Sequence, residues 1–278
     1  MKYLKLMRIK HYVKNLLIFC PLLFSGKLLN IQVFSHAIIG FLAFSLMSSA
    51  VYIVNDICDI EKDRAHPIKR NRPIACGDVS VKIASILAII CIAVSMILQV
   101  ILPDFVSLIC IMTYLMLNHL YSKKFKNKPL IDIIILVSGF FIRMLYGALI
   151  TNITISTWLY LTVITGAFYM AFGKRRNELK LTGNKTREVL GLYSYEFLDK
   201  NMYVCMALLN TFYALWAANK NTSFLVTVPI VLIISMKYSF NIEKYDDGDP
   251  VSILLCDKLI LFLGMIYVAY IFFVIYII

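Results

Sequence analysis

Nine apolar stretches of 17 to 22 residues recur along the 278-residue chain, at 14–31, 33–54, 81–102, 104–121, 130–150, 157–173, 202–218, 223–240 and 257–278. Each has the length, about 17 to 25 residues, that an α-helix needs to cross a hydrocarbon core about 30 Å thick. Lipid offers no partner to a backbone amide, so runs of this kind form helices that satisfy their own hydrogen bonds. A composition 60% hydrophobic and only 16% charged lies outside the range of a soluble globular domain. The sequence therefore predicts an all-α integral membrane protein, a single polytopic domain over 1–278 with nine transmembrane helices.

Basic residues set the direction of threading. With Lys2, Lys5, Arg8, Lys10 and Lys14 at a cytoplasmic amino terminus, nine crossings put the loops 55–80, 122–129, 174–201 and 241–256 on the same side and leave short hairpins outside. Of the 28 Lys and Arg, only Lys27 and Lys220 fall outside, and only Arg143 falls well inside a span. The net charge of +12 then follows from topology and from anionic lipid headgroups, and no nucleic-acid partner is expected. Pro21 interrupts the first run and no small-residue cleavage box follows it, so this run is expected to stay in the mature chain. Cys20, Cys58, Cys76, Cys91, Cys110, Cys205 and Cys256 show no paired ligand spacing and read as reduced thiols. Helix starts are signalled by Lys128 and Pro129 before the fifth span, and by Asp249 and Pro250 as an N-cap and first-turn pair before the ninth.

Chemistry belongs where polar residues gather at the membrane boundary, and the densest such place is NDICDIEKDRAHPIKRNRPI, residues 55–74. If the second helix continues past Asn55, then Asp56, Asp59 and Asp63 stand at i, i+3 and i+7 on one face. Three carboxylates there repel one another unless a cation sits between them. Mg²⁺ suits, since it takes carboxylate oxygens and shares its other positions with water and substrate phosphates. Lys69, Arg70 and Arg72 then lie close enough to clamp those phosphates, with Pro73 turning the loop back. The plainer alternative is a solvated loop whose mixed charges hold the boundary.

The segment Asn55-Asp56-Ile57-Cys58-Asp59-Ile60-Glu61-Lys62-Asp63 resembles the NDxxDxxxD motif of the UbiA-type intramembrane prenyltransferase superfamily. That resemblance implies a nine-helix bundle with an Mg²⁺-diphosphate site at its cytoplasmic end, held by Asn55, Asp56, Asp59 and Asp63, with Asp56 and Asp59 as the catalytic pair. Members of the superfamily usually carry a second Asp-rich motif at the end of the sixth helix. This chain has Phe172-Gly173-Lys174-Arg175-Arg176-Asn177-Glu178 there, cations suited to holding phosphate directly.

Six segments in order, at 8–26, 55–77, 121–150, 172–179, 186–199 and 248–258, resemble the decaprenyl-phosphate phosphoribosyltransferase branch of that superfamily. The branch resemblance implies transfer of 5-phosphoribose from 5-phosphoribosyl 1-diphosphate to a polyprenyl phosphate, releasing diphosphate, at a bacterial plasma membrane with the site facing the cytoplasm. Breaking the C1 bond builds negative charge on diphosphate, which Mg²⁺ and nearby cations stabilise. The acceptor phosphate is already an anionic nucleophile and needs no general base, so His11, His36, His66 and His119 read as boundary residues, with His66 able to touch a phosphate. Two phosphorylated substrates call for more cations. Lys14 with Asn15, Lys126, Lys174, Arg175 and Arg187 are the candidates, Lys126 being chosen from its lysine-rich loop by the resemblance alone. Glu178 and Tyr193 are further candidates for ribose hydroxyls or for orienting a cation, although an interface aromatic explains Tyr193 as well.

Arg143 stands apart, about midway along a span, where a charge faces a polar cavity or a partner. It is expected to point into the bundle, bracing a helix break, reaching the acceptor phosphate, or pairing with a buried carbonyl. Asp246, Asp247 and Asp249 do not replace the missing motif, because Gly248 and Pro250 break helical spacing. An apolar lateral groove is expected to take the polyprenyl tail, and a homo-oligomer is compatible with the reading. The alternatives are a prenyltransferase acting on an aromatic or other small acceptor, and a transporter of anionic lipids or small anions. Against the transporter, no pair of Gly- or Pro-interrupted spans recurs in matching halves.

Overall fold

The computed structural model describes residues 2–65, 69–183, 188–243, 253–254 and 256–277, and all regular structure among them is helical. The chain opens with α1 (Lys2–Met7), a 3₁₀ segment Ile9–Phe19 and the single turn α2 (Cys20–Leu23). The long α3 (Ile31–Cys58) begins where the Asn30 side chain accepts the N–H groups of Gln32 and Val33, and is followed by α4 (Ile60–Ala65). Ser80 caps α5 (Val81–Val100), and Asp104 caps α6 (Phe105–Leu120), which runs into a π-helical turn at Tyr121–Phe125. Next come α7 (Ile131–Thr151), α8 (Thr157–Thr182) and α9 (Tyr195–Lys220), the last capped by Ser194. A 3₁₀ turn at Thr222–Thr227 leads into α10 (Val228–Ile242), and Asp257 caps α11 (Lys258–Tyr276). The expected cap at Asp249 and Pro250 lies outside the described residues.

Two packed units divide the chain, one formed by residues 1–126 and 142–153, the other by 127–141 and 154–278. In the first, α3 lies along α5 and also meets the 3₁₀ segment and α6. Ile18, Phe44, Met47, Ile111, Tyr146 and Ile150 are fully buried together, and Leu6, Ala50, Ile53 and Ala84 form a neighbouring cluster. Near the α5–α6 turn the Gln99 amide is satisfied at both ends, its nitrogen donating to Ser107 Oγ and its oxygen accepting from Tyr146 Oη at 2.7 Å. In the second unit α8 packs along α9, around Tyr169, Phe172, Leu198, Met202, Tyr238 and Ile242.

Six helical stretches have the length and apolar composition of a membrane span: Ile31–Cys58, Val81–Val100, Phe105–Phe125, Ile131–Thr151, Thr222–Ile242 and Lys258–Tyr276. They correspond to the second to fifth, eighth and ninth expected spans. The expected sixth and seventh lie inside α8 and α9, each 26 residues and so about 39 Å long, with charged turns at one end. The first expected span, 14–31, is helical only in part and is not one continuous α-helix. Its 3₁₀ segment stops at Phe19, Pro21 enters the four-residue α2 without an N–H to donate, and Gly26 turns the chain at φ 78°.

The 3₁₀ segment is held by close backbone contact with α7. A Cβ on Gly147 would stand 2.0 Å from the Ile18 carbonyl oxygen. Gly147→Ala is therefore expected to cost about 1–3 kcal/mol, because the obstruction is backbone and a rotamer change cannot relieve it. Gly264→Ala, with nothing within 4 Å of its Cβ position, should be near neutral. Thermal unfolding of the two variants in one detergent checks the contrast.

Candidate active site

In the first unit the acidic stretch is arranged by a break in the helix. α3 ends at Cys58, and Asp59 caps it at φ −105° and ψ 14°, before α4 resumes at Ile60. The unbroken stripe expected from i, i+3 and i+7 is thus not formed. Asp56 and Asp63 are both buried and turn to one guanidinium: Arg72 Nη1 donates to Asp56 Oδ1 at 3.1 Å and to Asp63 Oδ2 at 2.6 Å. Asp56 Oδ1 also accepts from Arg8 Nη2. Asp59, half-buried, instead accepts from Lys126 Nζ at 2.8 Å. Asn55 Oδ1 accepts from Ser122 Oγ at 2.5 Å, so the π-helical turn after α6 brings Ser122 and Lys126 to the two ends of one α3 turn. Each carboxylate is thus matched by this unit's own cations.

Deeper in the same unit, eleven residues back along α3 and so about 16 Å away, lies a second polar group. Arg143, buried as expected of a mid-span charge, donates from Nε to Asn15 Oδ1 at 2.7 Å and from Nη2 to Tyr114 Oη at 3.1 Å. Its guanidinium lies over the Phe44 and Tyr114 rings at 5.2 and 4.9 Å from their centroids. Asn15 passes the chain on, donating to Ser45 Oγ at 2.9 Å. Lys14 is half-buried on the same 3₁₀ segment, Lys69 and Arg70 sit on the short turn Lys69–Asn71, and Arg70 is exposed.

The second unit holds its own buried charge network. Arg175 Nε donates to Asp132 Oδ2 at 2.7 Å and Nη1 donates to Glu178 Oε2 at 2.5 Å, with Arg175 and Asp132 at 1% and 0% exposed. Tyr193 Oη donates to Asp132 Oδ1 at 2.7 Å and accepts the Leu130 N–H at 2.5 Å, which pins Leu130 at φ 64° ahead of α7. Burial and the Asp132 carboxylate push the Tyr193 phenol above its ordinary range, so it stays a donor throughout physiological pH. Arg176 bonds to Asp199 and to Glu243, tying α8 to α9 and to the end of α10. Lys174, immediately before Arg175, is half-buried. Arg187, His66 and the run 246–249 lie outside the described residues.

Two residues were missed as site residues in the sequence. Arg8 was counted only as a topological charge, and no local signal joins it to Asp56, 48 positions on. Asp132 was visible as an acid just inside a span, which is itself the mark of a buried partner.

The sequence profile of the UbiA prenyltransferase family matches residues 17–266. The chain belongs to this family. Decaprenyl-phosphate phosphoribosyltransferase of Corynebacterium glutamicum is 32% identical to this UbiA-family chain, over 99% of it and 86% of the relative. The enzyme of the same name from Mycolicibacterium smegmatis is 31% identical over 95% of this chain and 89% of its own. Among solved structures, a UbiA homolog from Archaeoglobus fulgidus bound to GPP and Mg²⁺ has a TM-score of 0.76, covering 99% of both chains at 20% identity, a likeness of fold. The protein is therefore a transferase of the UbiA family and an integral membrane protein.

Whether the divalent ion seen in that homolog suits this UbiA-family chain can be judged from its carboxylates. Two buried oxygens, from Asp56 and Asp63, converge on one cationic nitrogen of Arg72, while the Asn55 amide oxygen, next in the chain, accepts from Ser122. That is a hard, oxygen-only donor set, and Mg²⁺ is commonly held by one or two carboxylates while phosphate and water fill its other positions. The residues fit Mg²⁺ in that form. A three-acid cage is not formed among the described residues.

Proposed function

We propose that this protein transfers 5-phosphoribose from 5-phosphoribosyl 1-diphosphate to a polyprenyl phosphate, with Mg²⁺, at the cytoplasmic face of a bacterial plasma membrane. The observation that carries the reading is likeness over nearly the whole chain to enzymes named decaprenyl-phosphate phosphoribosyltransferase. Lys174, half-buried on α8 where the superfamily usually has acids, supports it further; Arg175 and Arg176 beside it are engaged by the chain's own carboxylates instead.

In this reading Asp56 and Asp63, with Asn55, hold Mg²⁺, which when bound neutralises charge on the departing diphosphate. Asp59 keeps Lys126 beside them, and Arg72 and Lys126 supply donors to phosphate oxygens. Lys174 is assigned to the sugar phosphate. Arg175 and Glu178 act from within the Asp132 network, which sets the last turns of α8. The acceptor attacks as its own anion, so the chain supplies position and not a base. Arg143, bonded to Asn15 and Tyr114 and lying over Phe44, holds the 3₁₀ segment in place.

Purified protein in lipid with Mg²⁺, polyprenyl phosphate and labelled phosphoribosyl diphosphate should move label into the lipid phase, and EDTA should abolish this. Label staying in water while a parallel tube of prenyl diphosphate and an aromatic acid yields prenylated aromatic would replace the reading with prenyl transfer. In the first assay Lys174→Ala should raise the KM for phosphoribosyl diphosphate about tenfold, the worth of one charge-assisted hydrogen bond. Unchanged kinetics would return Lys174 to the solvated helix end.

A further inference from the structure

Arg8 combines three features that a merely topological lysine or arginine lacks. Its backbone is left-handed, φ 53° and ψ 47°, between α1 and the 3₁₀ segment. A non-glycine residue pays about 1–2 kcal/mol for that conformation, and it persists where the surroundings over-determine it. The surroundings here do so on both sides. Leu6 of α1 is fully buried beside Ala50 and Ile53, while Asn15 and Ile18 tie the 3₁₀ segment to Arg143 and Gly147 of α7. The guanidinium is then laid over the Tyr52 ring, 5.0 Å from its centroid and one helical turn before Asp56.

The result is a cation delivered to the outer side of a buried carboxylate: the Asp56 side chain is 4% exposed, the Arg8 side chain 22%. Asp56 Oδ1 is shared by Arg8 and Arg72, and Arg72 also holds Asp63. A divalent ion that takes Asp56 Oδ1 must displace a cation from it. Arg72 stays anchored through Asp63, which leaves Arg8, whose one carboxylate partner among the described residues is Asp56 and whose guanidinium rests on the Tyr52 ring, as the group that yields.

We infer that Arg8 is an exchangeable counter-ion of the metal site, which neutralises Asp56 while the site is empty and passes to the diphosphate when metal and donor substrate enter together. The inference rests on the Mg²⁺ reading given under Proposed function. It adds that this chain's own arginine competes with free metal and afterwards binds the phosphates the metal brings. Metal alone is thereby held weakly and metal with diphosphate strongly, so loading favours the pair. A guanidinium is suited to both roles, since its fork matches carboxylate and phosphate oxygens alike.

Opposite signs in two measurements test it. Mn²⁺ alone is titrated into the purified full chain in lipid nanodiscs, read by electron paramagnetic resonance, for wild type, Arg8→Gln, Arg8→Lys and Asp56→Asn. Arg8→Gln should bind Mn²⁺ about tenfold more tightly than wild type, the worth of one charge-assisted contact no longer displaced, yet show a raised KM for phosphoribosyl diphosphate. Arg8→Lys keeps the charge and should stay near wild type for Mn²⁺. An Arg8 that only neutralises Asp56 would also tighten Mn²⁺ binding when removed but would leave the KM for phosphoribosyl diphosphate unchanged, so the two opposite signs together are required. Equal or weaker Mn²⁺ binding by Arg8→Gln, where Asp56→Asn still abolishes it, overturns the inference and leaves the metal site standing. Mn²⁺ binding that survives Asp56→Asn overturns the metal site itself, and the inference with it.

Discussion

Asp56→Asn is expected to reduce transfer at least a thousandfold while leaving the fold intact. The substitution keeps the size and one acceptor oxygen of the side chain but removes the charge that a divalent ion needs, and transition-state electrostatics of this kind is worth several kcal/mol. The fold should tolerate it. Arg72 retains Asp63 at 2.6 Å, and Arg8 is exposed enough to be hydrated. Label entering the lipid phase and the unfolding midpoint, measured on the same preparation, check both halves. A folded Asp56→Asn protein with wild-type turnover would remove Asp56 from the chemistry.

The largest loss of stability is expected at the other network. Asp132→Ala strips the fully buried Arg175 Nε of its carboxylate and Tyr193 of an acceptor, leaving Arg175 with Glu178 at its other nitrogen while two buried donors at the Asp132 position lose their partner together. Breaking a buried pair from one side costs about 3–5 kcal/mol. Glu243→Gln makes the contrast: its partner Arg176 is as buried, but Glu243 is 48% exposed and Arg176 keeps Asp199, so about 1 kcal/mol or less is expected. Chemical unfolding of both variants distinguishes the two, and equal losses would mean that burial of the acid does not set the cost.

What was legible in the sequence divides along the range of the signals. Long apolar runs marked six spans by length alone, whereas the caps at Asn30, Ser80, Asp104, Ser194 and Asp257 are local signals that went unread, the expected starts being Lys128 with Pro129 and Asp249 with Pro250. The first run misled because apolar content does not distinguish a 3₁₀ segment from an α-helix, and Pro21 and the buried Asn15 were the only clues. The depth of Arg143 could be read from its place in a span, whereas its partner Asn15 lies 128 residues earlier. The acidic stretch announced the type of chemistry. Its geometry depended on a helix break at Asp59 and on Arg8 and Lys126, 48 and 67 residues from their carboxylates, distances over which sequence carries no pairing rule. Arg175 and Glu178 were singled out, but that they answer to Asp132 required the folded chain.

The amide of Gln99 bears on how the first unit is completed. An unsatisfied polar group in hydrocarbon costs several kcal/mol. The α5–α6 hairpin can satisfy the Gln99 nitrogen itself, through Ser107 eight residues on, but the oxygen waits for Tyr146, 47 residues on. The α5–α6 hairpin alone therefore leaves the Gln99 oxygen to water near its turn, until the Tyr146 hydroxyl of α7 replaces that water. Docking α7 thus completes the amide's bonding, and the same helix brings Arg143 and Gly147 to the 3₁₀ segment, so one contact surface ties three parts of the first unit together.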